Sequence, residues 1–309
     1  MLSYKSGYSI VNADAKERFN RTARVNGFNF AENTTYGLGG NAETAYFPKN
    51  IPEAVAVYDR LTDTDTPFVC LGNGSDVLAA DGGFAGCVVS TAKLKGIIRI
   101  NRNEILALAG TTVAEILKYC KRNLLTGTEF LYGIPATVGG LTYMNGGAGG
   151  EYIGSVVRSV IIYDGGIRTL SNASCGFSYK HSAMQNGKCL VLGSYLTVSP
   201  CDRATINQRT EKFRLARKKL PKGKSCGCVF KNPENISAGK LIEDTGLKGA
   251  AIGGAFVSEE HANFIINKNG TAKQVRLLIE IVKLSVYKKF GVTLEEEVEY
   301  IGDFDDTYR

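Results

Sequence analysis

The sequence predicts an α+β chain built as two α+β units that meet near residue 200. Three observations carry that expectation. At 309 residues the chain exceeds the roughly 250 to 300 residues over which one hydrophobic core keeps growing. Up to about residue 200, short apolar runs alternate with glycine turns, the pattern of strands. From Ser237 onward the character changes and a long helical periodicity appears.

In order, residues 1–30 read as a polar, helical lead-in. Residues 66–71, 86–90, 97–100, 105–109, 159–163 and 190–198 have the length and turn boundaries of strands, and Asn101-Arg102-Asn103 suggests a hairpin link. A helix is predicted over 112–124: Thr112 and Glu115 have capping-box spacing, and Val113, Ile116, Leu117 and Cys120 share a face. After residue 200 come a short helix closing at Gly246, two strands over 251–257 and 262–267, and a long helix over 271–290. Thr271 and Gln274 have capping-box spacing there, Val275, Leu278, Ile279 and Val282 form a core stripe, and Gly291 stands where a terminating glycine belongs. The last residues, from Gly302 on, read as a polar tail.

Hydrophobic residues at 44% and charged residues at 22% are ordinary for a globular protein and argue against wholesale disorder. No segment approaches the roughly 18 apolar residues of a membrane span, and no leader is evident, so the expected location is the cytoplasm. The eight cysteines, at 70, 87, 120, 175, 189, 201, 226 and 228, lack disulfide or four-ligand zinc spacing, so reduced thiols and no bound metal are expected. Net charge is +7, and nine Lys or Arg residues lie between Arg203 and Lys224 against one acid, Glu211. Such a run is either a solvated helix face or an anion site. With only Phe213 as an aromatic among these charges and no nucleic-acid motif, the expected anion is a phosphorylated small molecule, with no nucleic acid or membrane partner.

Three stretches suggest chemistry. Leu71-Gly-Asn-Gly-Ser-Asp-Val-Leu78 is a glycine turn. Residues 133–150 hold seven glycines in eighteen positions and almost no charge, which suits backbone contact with a large, flat, partly apolar cofactor. Neither loop has the glycine fingerprint of a Rossmann unit. Cys226-Gly-Cys-Val-Phe-Lys-Asn-Pro233 places a proton-donating side chain, Cys228, between small neighbours and just before a basic, amide-bearing turn. A buried apolar thiol is the plainer reading of such a cysteine.

Taken together with Phe177-Ser-Tyr-Lys-His-Ser182, the run 220–233, Ala238-Gly-Lys-Leu-Ile-Glu-Asp-Thr-Gly-Leu-Lys-Gly249, Ile252-Gly-Gly-Ala255, His261-Ala-Asn-Phe-Ile-Ile-Asn267 and Phe290-Gly-Val-Thr-Leu-Glu-Glu-Glu-Val298, these stretches resemble the UDP-N-acetylenolpyruvoylglucosamine reductase family, in order, over roughly residues 33–302. The resemblance implies a two-part FAD-binding unit of the vanillyl-alcohol-oxidase (PCMH-like) type over 1–200, with lobes about 1–92 and 93–200. A substrate-binding α+β domain over 201–302 and a tail over 303–309 would follow. It implies a cytoplasmic, monomeric enzyme of peptidoglycan synthesis in which NADPH reduces FAD and the enolpyruvyl ether of a UDP-sugar is then reduced, giving UDP-N-acetylmuramate. About 35 residues separate Gly193 from Cys228, so the extra tyrosine-bearing loop of longer members is absent and the chain looks like the shorter type.

The expected FAD contacts are Gly72, Asn73, Gly74, Ser75 and Asp76 in the first loop, and Gly133, Ile134, Pro135, Gly139, Gly140, Asn145, Gly146 and Gly147 in the second. Reduction of the enolpyruvyl group leaves negative charge on one carbon and its carboxylate, so a cation, a hydrogen-bonding acid and a proton donor are needed. The matching positions are Lys180, Glu297 and Cys228. Lys219, Asn232 and His261 match positions that bind substrate diphosphate or NADPH. Three departures stand out: Cys228 replaces a serine, Lys180 an arginine, and Glu299 an arginine. A thiol, with an ordinary pKa of about 8.5, is a competent donor, whereas lysine loses the arginine fork. A related FAD oxidase and a decayed UDP-sugar or flavin-binding protein are the competing readings, the latter motivated by Lys180 and Glu299.

Overall fold

The computed structural model describes residues 14–304. In chain order its main elements are β1 (Ala23–Asn29), β2 (Asn41–Phe47), α1 (Ile51–Asp63), β3 (Phe68–Leu71), β4 (Val77–Ala79), β5 (Phe84–Ser90), β6 (Ile97–Asn101), β7 (Glu104–Leu108), α2 (Val113–Arg122), α3 (Val138–Met144), β8 (Val157–Tyr163), β9 (Ile167–Ser171), β10 (Leu190–Thr197), α4 (Arg203–Arg217), α5 (Ala238–Asp244), β11 (Ala251–Ile252), β12 (Ala255–Val257), β13 (Ile265–Asn267), α6 (Ala272–Phe290) and β14 (Glu299–Ile301). No helix among the described residues is long and apolar enough to cross a membrane.

Packing divides the described chain differently from a single cut near residue 200. One unit holds residues 14–26, 44–72 and 86–214, and the other residues 27–43, 73–85 and 215–304, so the divisions fall inside β1, β2 and β5. The reason lies in pairing over long sequence separation. β14 pairs in parallel with β4, Tyr300 opposite Leu78, and Tyr36, Leu38 and Leu78 are buried in one core with Val229, Phe230, Val275 and Ile279. Hydrophobic runs of three residues give no local sign of such partners.

In the first unit the apolar runs of β8 and β10 become central strands of a five-stranded antiparallel sheet ordered β9-β8-β10-β7-β6. β3 and β5 pair in parallel, Phe68 opposite Cys87. α2 has the anticipated capping box, with Thr112 and Glu115 each bonding the other's backbone, and buries Val113, Ile116 and Cys120. α1 was not evident as a helix from the sequence, although Asn50 caps it by accepting from the Glu53 N–H at 2.9 Å.

In the second unit β11, β12 and β13 form an antiparallel sheet against which α6 packs its expected stripe of Val275, Leu278, Ile279 and Val282. Beyond its own capping box, α6 is capped by Asp81, whose carboxylate accepts from the Ala272 and Lys273 N–H groups at 2.8 and 3.0 Å. A negative charge there complements the positive end of the helix.

Four expectations are corrected. The helical lead-in ends early: residues 14–21 are helical but Ala23–Asn29 is a strand with Phe28 buried, and residues 1–13 lie outside the described residues. The strand over 251–257 is a hairpin, because Gly253 at φ +54 and Gly254 turn the chain. The glycine run 133–150 contains α3 in spite of two glycines, capped by Thr137 and stabilised by burial of Val138, Leu141 and Met144. The basic run from Arg203 to Arg217 is a helix that fully buries only Ile206, so the solvated-face reading describes most of it. Of the expected polar tail, residues 305–309 lie outside the described residues.

Candidate active site

Glycine loops shape the first unit's part of the site. Gly72 follows β3 and lies so close to α3's cap that a Cβ added there would sit 2.4 Å from Thr137 Oγ1. The segment before α3 is tied by its backbone: Val113 N–H donates to Ala136 O at 3.0 Å, Val138 N–H to Thr111 O at 2.9 Å and Gly139 N–H to Ala109 O at 2.8 Å. At Gly140 an added Cβ would meet only Thr137 Oγ1, at 3.7 Å, so this backbone borders open space. Tight backbone beside open, uncharged space fits a flat cofactor with a diphosphate, and the residues present therefore fit FAD. Gly133, with φ +74, turns the chain before Ile134 and Pro135, while Gly146 and Gly147 could not carry a side chain, since Cβ atoms there would lie 2.7 Å from Leu141 Cδ2 and 1.9 Å from Glu151 O.

Lys180 also belongs to the first unit. It occupies a two-residue turn closed by Ser178 and His181, which exchange backbone hydrogen bonds of 3.1 and 3.2 Å. Its φ is +54, a left-handed value that lysine rarely adopts.

The rest of the first glycine loop, Asn73 to Asp76, is part of the second unit. There Gly74, at φ +58, accepts from the Thr35 N–H at 2.9 Å, and Asp76 O accepts from the Glu299 N–H at 2.9 Å. The segment containing Cys228 lies between two others. Cys228 bridges Phe264 and Phe230 bridges Glu296, while Val229 N–H donates to Asn263 O and Glu297 N–H to Val229 O, at 2.9 and 2.8 Å. Asn263 reinforces this with side-chain bonds to both backbone groups of Phe230, at 2.9 and 2.8 Å. Strand pairing thereby gathers residues 34 and 68 positions apart in sequence, as at Val229 with Asn263 and Glu297.

The three consecutive acids meet different surroundings. Glu295 bonds Lys231 on the surface. Glu296 accepts from Lys283 and Arg276 at 2.6 and 2.8 Å and from the Tyr300 hydroxyl. Glu297 is turned inward, with 9% exposure. Burial would raise the Glu296 carboxyl, but the bonds from Lys283 and Tyr300 and the charges of Arg276 and Lys283 carry it below its ordinary value.

Electrostatics place Cys226, Cys228, Asp76 and Glu297 in one neighbourhood. Burial pushes the Cys226 thiol well above the usual thiol range, and the Asp76 and Glu297 carboxylates and Cys228 act in the same direction. Cys226 is therefore an inert packing thiol, while Cys228, partly exposed, is the accessible one of the pair. Arg217 is the residue that sequence reasoning missed. Burial lowers its pKa, and Cys228 acts against that fall. The following Lys218 and Lys219 are exposed, whereas Arg217, like Arg214 one turn earlier, is half-buried. Only its place in the run hinted at this. Glu299 is open to solvent, yet enough protein surrounds its carboxyl to raise its pKa, with Lys231 acting in the opposite sense.

Asn232 and His261 have structural partners. Asn232 Oδ1 accepts from the Ala238 N–H at 3.0 Å at the start of α5. His261 Nδ1 accepts from the Asn263 N–H at 3.3 Å, its ring meets Phe264 edge-on, and burial lowers its pKa.

Comparison with known proteins bears on this arrangement. A reductase relative from Caldicellulosiruptor bescii, named UDP-N-acetylenolpyruvoylglucosamine reductase, is 38% identical over 281 residues, covering 89% of each chain. The chain belongs to the UDP-N-acetylenolpyruvoylglucosamine reductase family. The same name is carried by relatives from Pediococcus pentosaceus, 38% identical over 87% of this chain and 91% of that one, and Streptococcus pneumoniae, 39% identical over 86% and 90%. Residues 218–301 match the model of the C-terminal domain of this reductase, and residues 42–165 match an FAD binding domain. The crystal structure of UDP-N-acetylenolpyruvylglucosamine reductase from Thermus caldophilus has a TM-score of 0.75 at 33% identity and covers 91% of this chain and 99% of that one. The α+β architecture with an FAD-binding unit and a reductase C-terminal domain agrees with the fold expected from sequence. The FAD-domain match contains Gly72 to Asp76 and Gly133 to Gly147, and the C-terminal match contains Lys219, Cys228, Asn232, His261 and Glu297.

Proposed function

We propose that this chain is an FAD-dependent oxidoreductase that reduces UDP-N-acetylglucosamine enolpyruvate to UDP-N-acetylmuramate at the expense of NADPH, in peptidoglycan synthesis. The observation that carries the reading is the pairing of residues 229–231 with 295–297, which brings the partly exposed Cys228 thiol and the buried Glu297 side chain into one neighbourhood, with the half-buried Arg217 guanidinium close to Cys228, within a chain of this family. FAD, held by the two glycine loops at the residues named above, supplies a ring that accepts and returns hydride.

The chain's own groups do the rest. When hydride reaches the terminal carbon of the enolpyruvyl group, negative charge develops on the neighbouring carbon and its carboxylate. Lys180 supplies the cation for that carboxylate, and Glu297 is the hydrogen-bonding acid of the site. Cys228 donates its proton to the carbon, giving the lactyl ether and leaving a thiolate that is reprotonated from solvent. Arg217 keeps positive charge beside that sulfur at the moment it becomes a thiolate. Lys219, Asn232 and His261 are assigned to substrate and NADPH binding, within a division of labour in which residues 1–200 hold FAD and 201–302 the UDP-sugar. The enzyme is further proposed to act as a cytoplasmic monomer on small molecules, without nucleic-acid or membrane partners.

Incubation with NADPH and the enolpyruvyl UDP-sugar tests this. The expected result is NADPH consumption with a product heavier by two hydrogens, identified as UDP-N-acetylmuramate by mass spectrometry. NADPH oxidation that depends on oxygen and ignores the UDP-sugar would instead identify an oxidase. Binding of the UDP-sugar without turnover would identify a decayed binding protein.

A further inference from the structure

Lysine at φ +54 is a strained choice that persists only where the surroundings over-determine the backbone. Those surroundings converge on one side chain. Asn145, 4% exposed, caps the end of α3 in a left-handed conformation of its own, φ +45 and ψ +50. Its Nδ2 donates to Ser178 O at 2.6 Å, at the base of the Lys180 turn, and its Oδ1 accepts from the Gly154 N–H at 2.9 Å. Gly154 cannot be larger, because a Cβ there would lie 2.8 Å from both Asn145 Oδ1 and the Phe177 ring. On the far side of the turn, buried Ser182 donates to Tyr143 O, in the last turn of α3, at 2.6 Å. The turn is thus tied to α3 before and after Lys180.

We propose that Asn145 is a positioning residue for Lys180, acting through the Ser178 carbonyl, in addition to its place in the glycine loop. The inference rests on the reading of Lys180 as the cation for the substrate carboxylate. It answers the problem that lysine poses at this position: an ammonium on a four-carbon stem lacks the planar fork of arginine and is less directed. A backbone held at one φ, with both flanks bonded to α3, fixes the origin of that stem and so restricts where the ammonium reaches. Positioning of this kind acts on the step in which charge develops on substrate, and not on the delivery of hydride from NADPH.

The test uses the FAD-loaded enzyme under anaerobic conditions and follows two half-reactions, flavin reduction by NADPH and flavin reoxidation by the enolpyruvyl UDP-sugar. Asn145→Asp keeps the shape but turns an acceptor toward the Ser178 carbonyl. It is expected to slow reoxidation about tenfold or more, with the rate taken per bound flavin, and to slow it more than reduction by NADPH. In a Lys180→Met background the same change is expected to add nothing further, since the positioned group is gone. If Asn145→Asp does not fold, Ser182→Ala removes the second tie and is expected to slow the same half-reaction, again without effect in Lys180→Met. An equal slowing by Asn145→Asp with and without Lys180, or a loss confined to flavin content, would overturn the inference while leaving Lys180's role intact. Normal reoxidation in Lys180→Met alone would overturn the reading of Lys180 itself.

Discussion

The two units set their candidate residues by opposite means. In the first, shape is set by what is missing: glycines at 72, 139, 146 and 147 lie where a Cβ would meet neighbouring atoms at 3.0 Å or less, and the loop is tied through backbone groups. In the second, paired strands set side chains beside one another, and charge decides their state, as in the cluster of Cys226, Cys228, Asp76, Glu297 and Arg217. The lesson is that substitutions at the close-packed glycines of the first unit should alter what is bound, and substitutions along the paired strands of the second should alter what is done to it or how firmly the strands are held.

The largest departure from that contrast would be at Gly72. Gly72→Ala presses a methyl against Thr137 Oγ1, and overpacking of this kind costs about 1–3 kcal/mol. Roughly tenfold or greater loss of FAD affinity is expected, read from flavin absorbance per protein, with part of it restored in Gly72→Ala/Thr137→Ala. Full flavin content in Gly72→Ala would mean that the first unit is not shaped by that contact.

Glu296 sharpens the other side. Its carboxyl lies below the ordinary range in the folded protein, so its contribution to stability is present above the unfolded value of about 4.3 and disappears as pH falls through the lower folded value. Glu296→Gln should lower stability at pH 7 by about 1–3 kcal/mol, and the difference from the parent should shrink below about pH 4 in denaturant titrations. Flavin content should be unchanged.

The smallest expected effect is at His261. Burial holds its pKa below the ordinary value, so the unfolded chain takes up the proton first and stability falls as pH drops below about 6.5. In His261→Gln the fall in melting temperature between pH 7.5 and 5.5 should be smaller by about a degree or two. An unchanged slope would show that the imidazole does not titrate in this way.

How much of this could be read from sequence follows the same division. α2 and α6 were legible because capping boxes and apolar stripes are local signals, and both are present as expected. α3 was hidden because Gly139 and Gly140 are poor helix formers, rescued here by burial and the Thr137 cap. Cys228 was singled out by its own stretch of sequence and its role by family resemblance, whereas Glu297 was singled out by the resemblance alone. No local pattern states that 229–231 pairs with 295–297, that Asp81 caps α6, or that Arg217 and not its lysine neighbours is half-buried. Asn145 was read as a cofactor contact, and its bonds to Ser178 and Gly154, 33 and 9 residues away, emerge only when α3 and the Lys180 turn are folded.

The central claim is that the second unit's Cys228 delivers the proton in the step that consumes the UDP-sugar. Its most direct measurement compares the parent and Cys228→Ala anaerobically, following flavin absorbance first on addition of NADPH and then of the enolpyruvyl UDP-sugar. Removing a general acid should slow reoxidation by substrate about 10²- to 10⁴-fold while reduction by NADPH stays nearly intact, and Cys228→Ser should recover much of the loss. Equal impairment of the two half-reactions, or normal reoxidation in Cys228→Ala, would contradict the account.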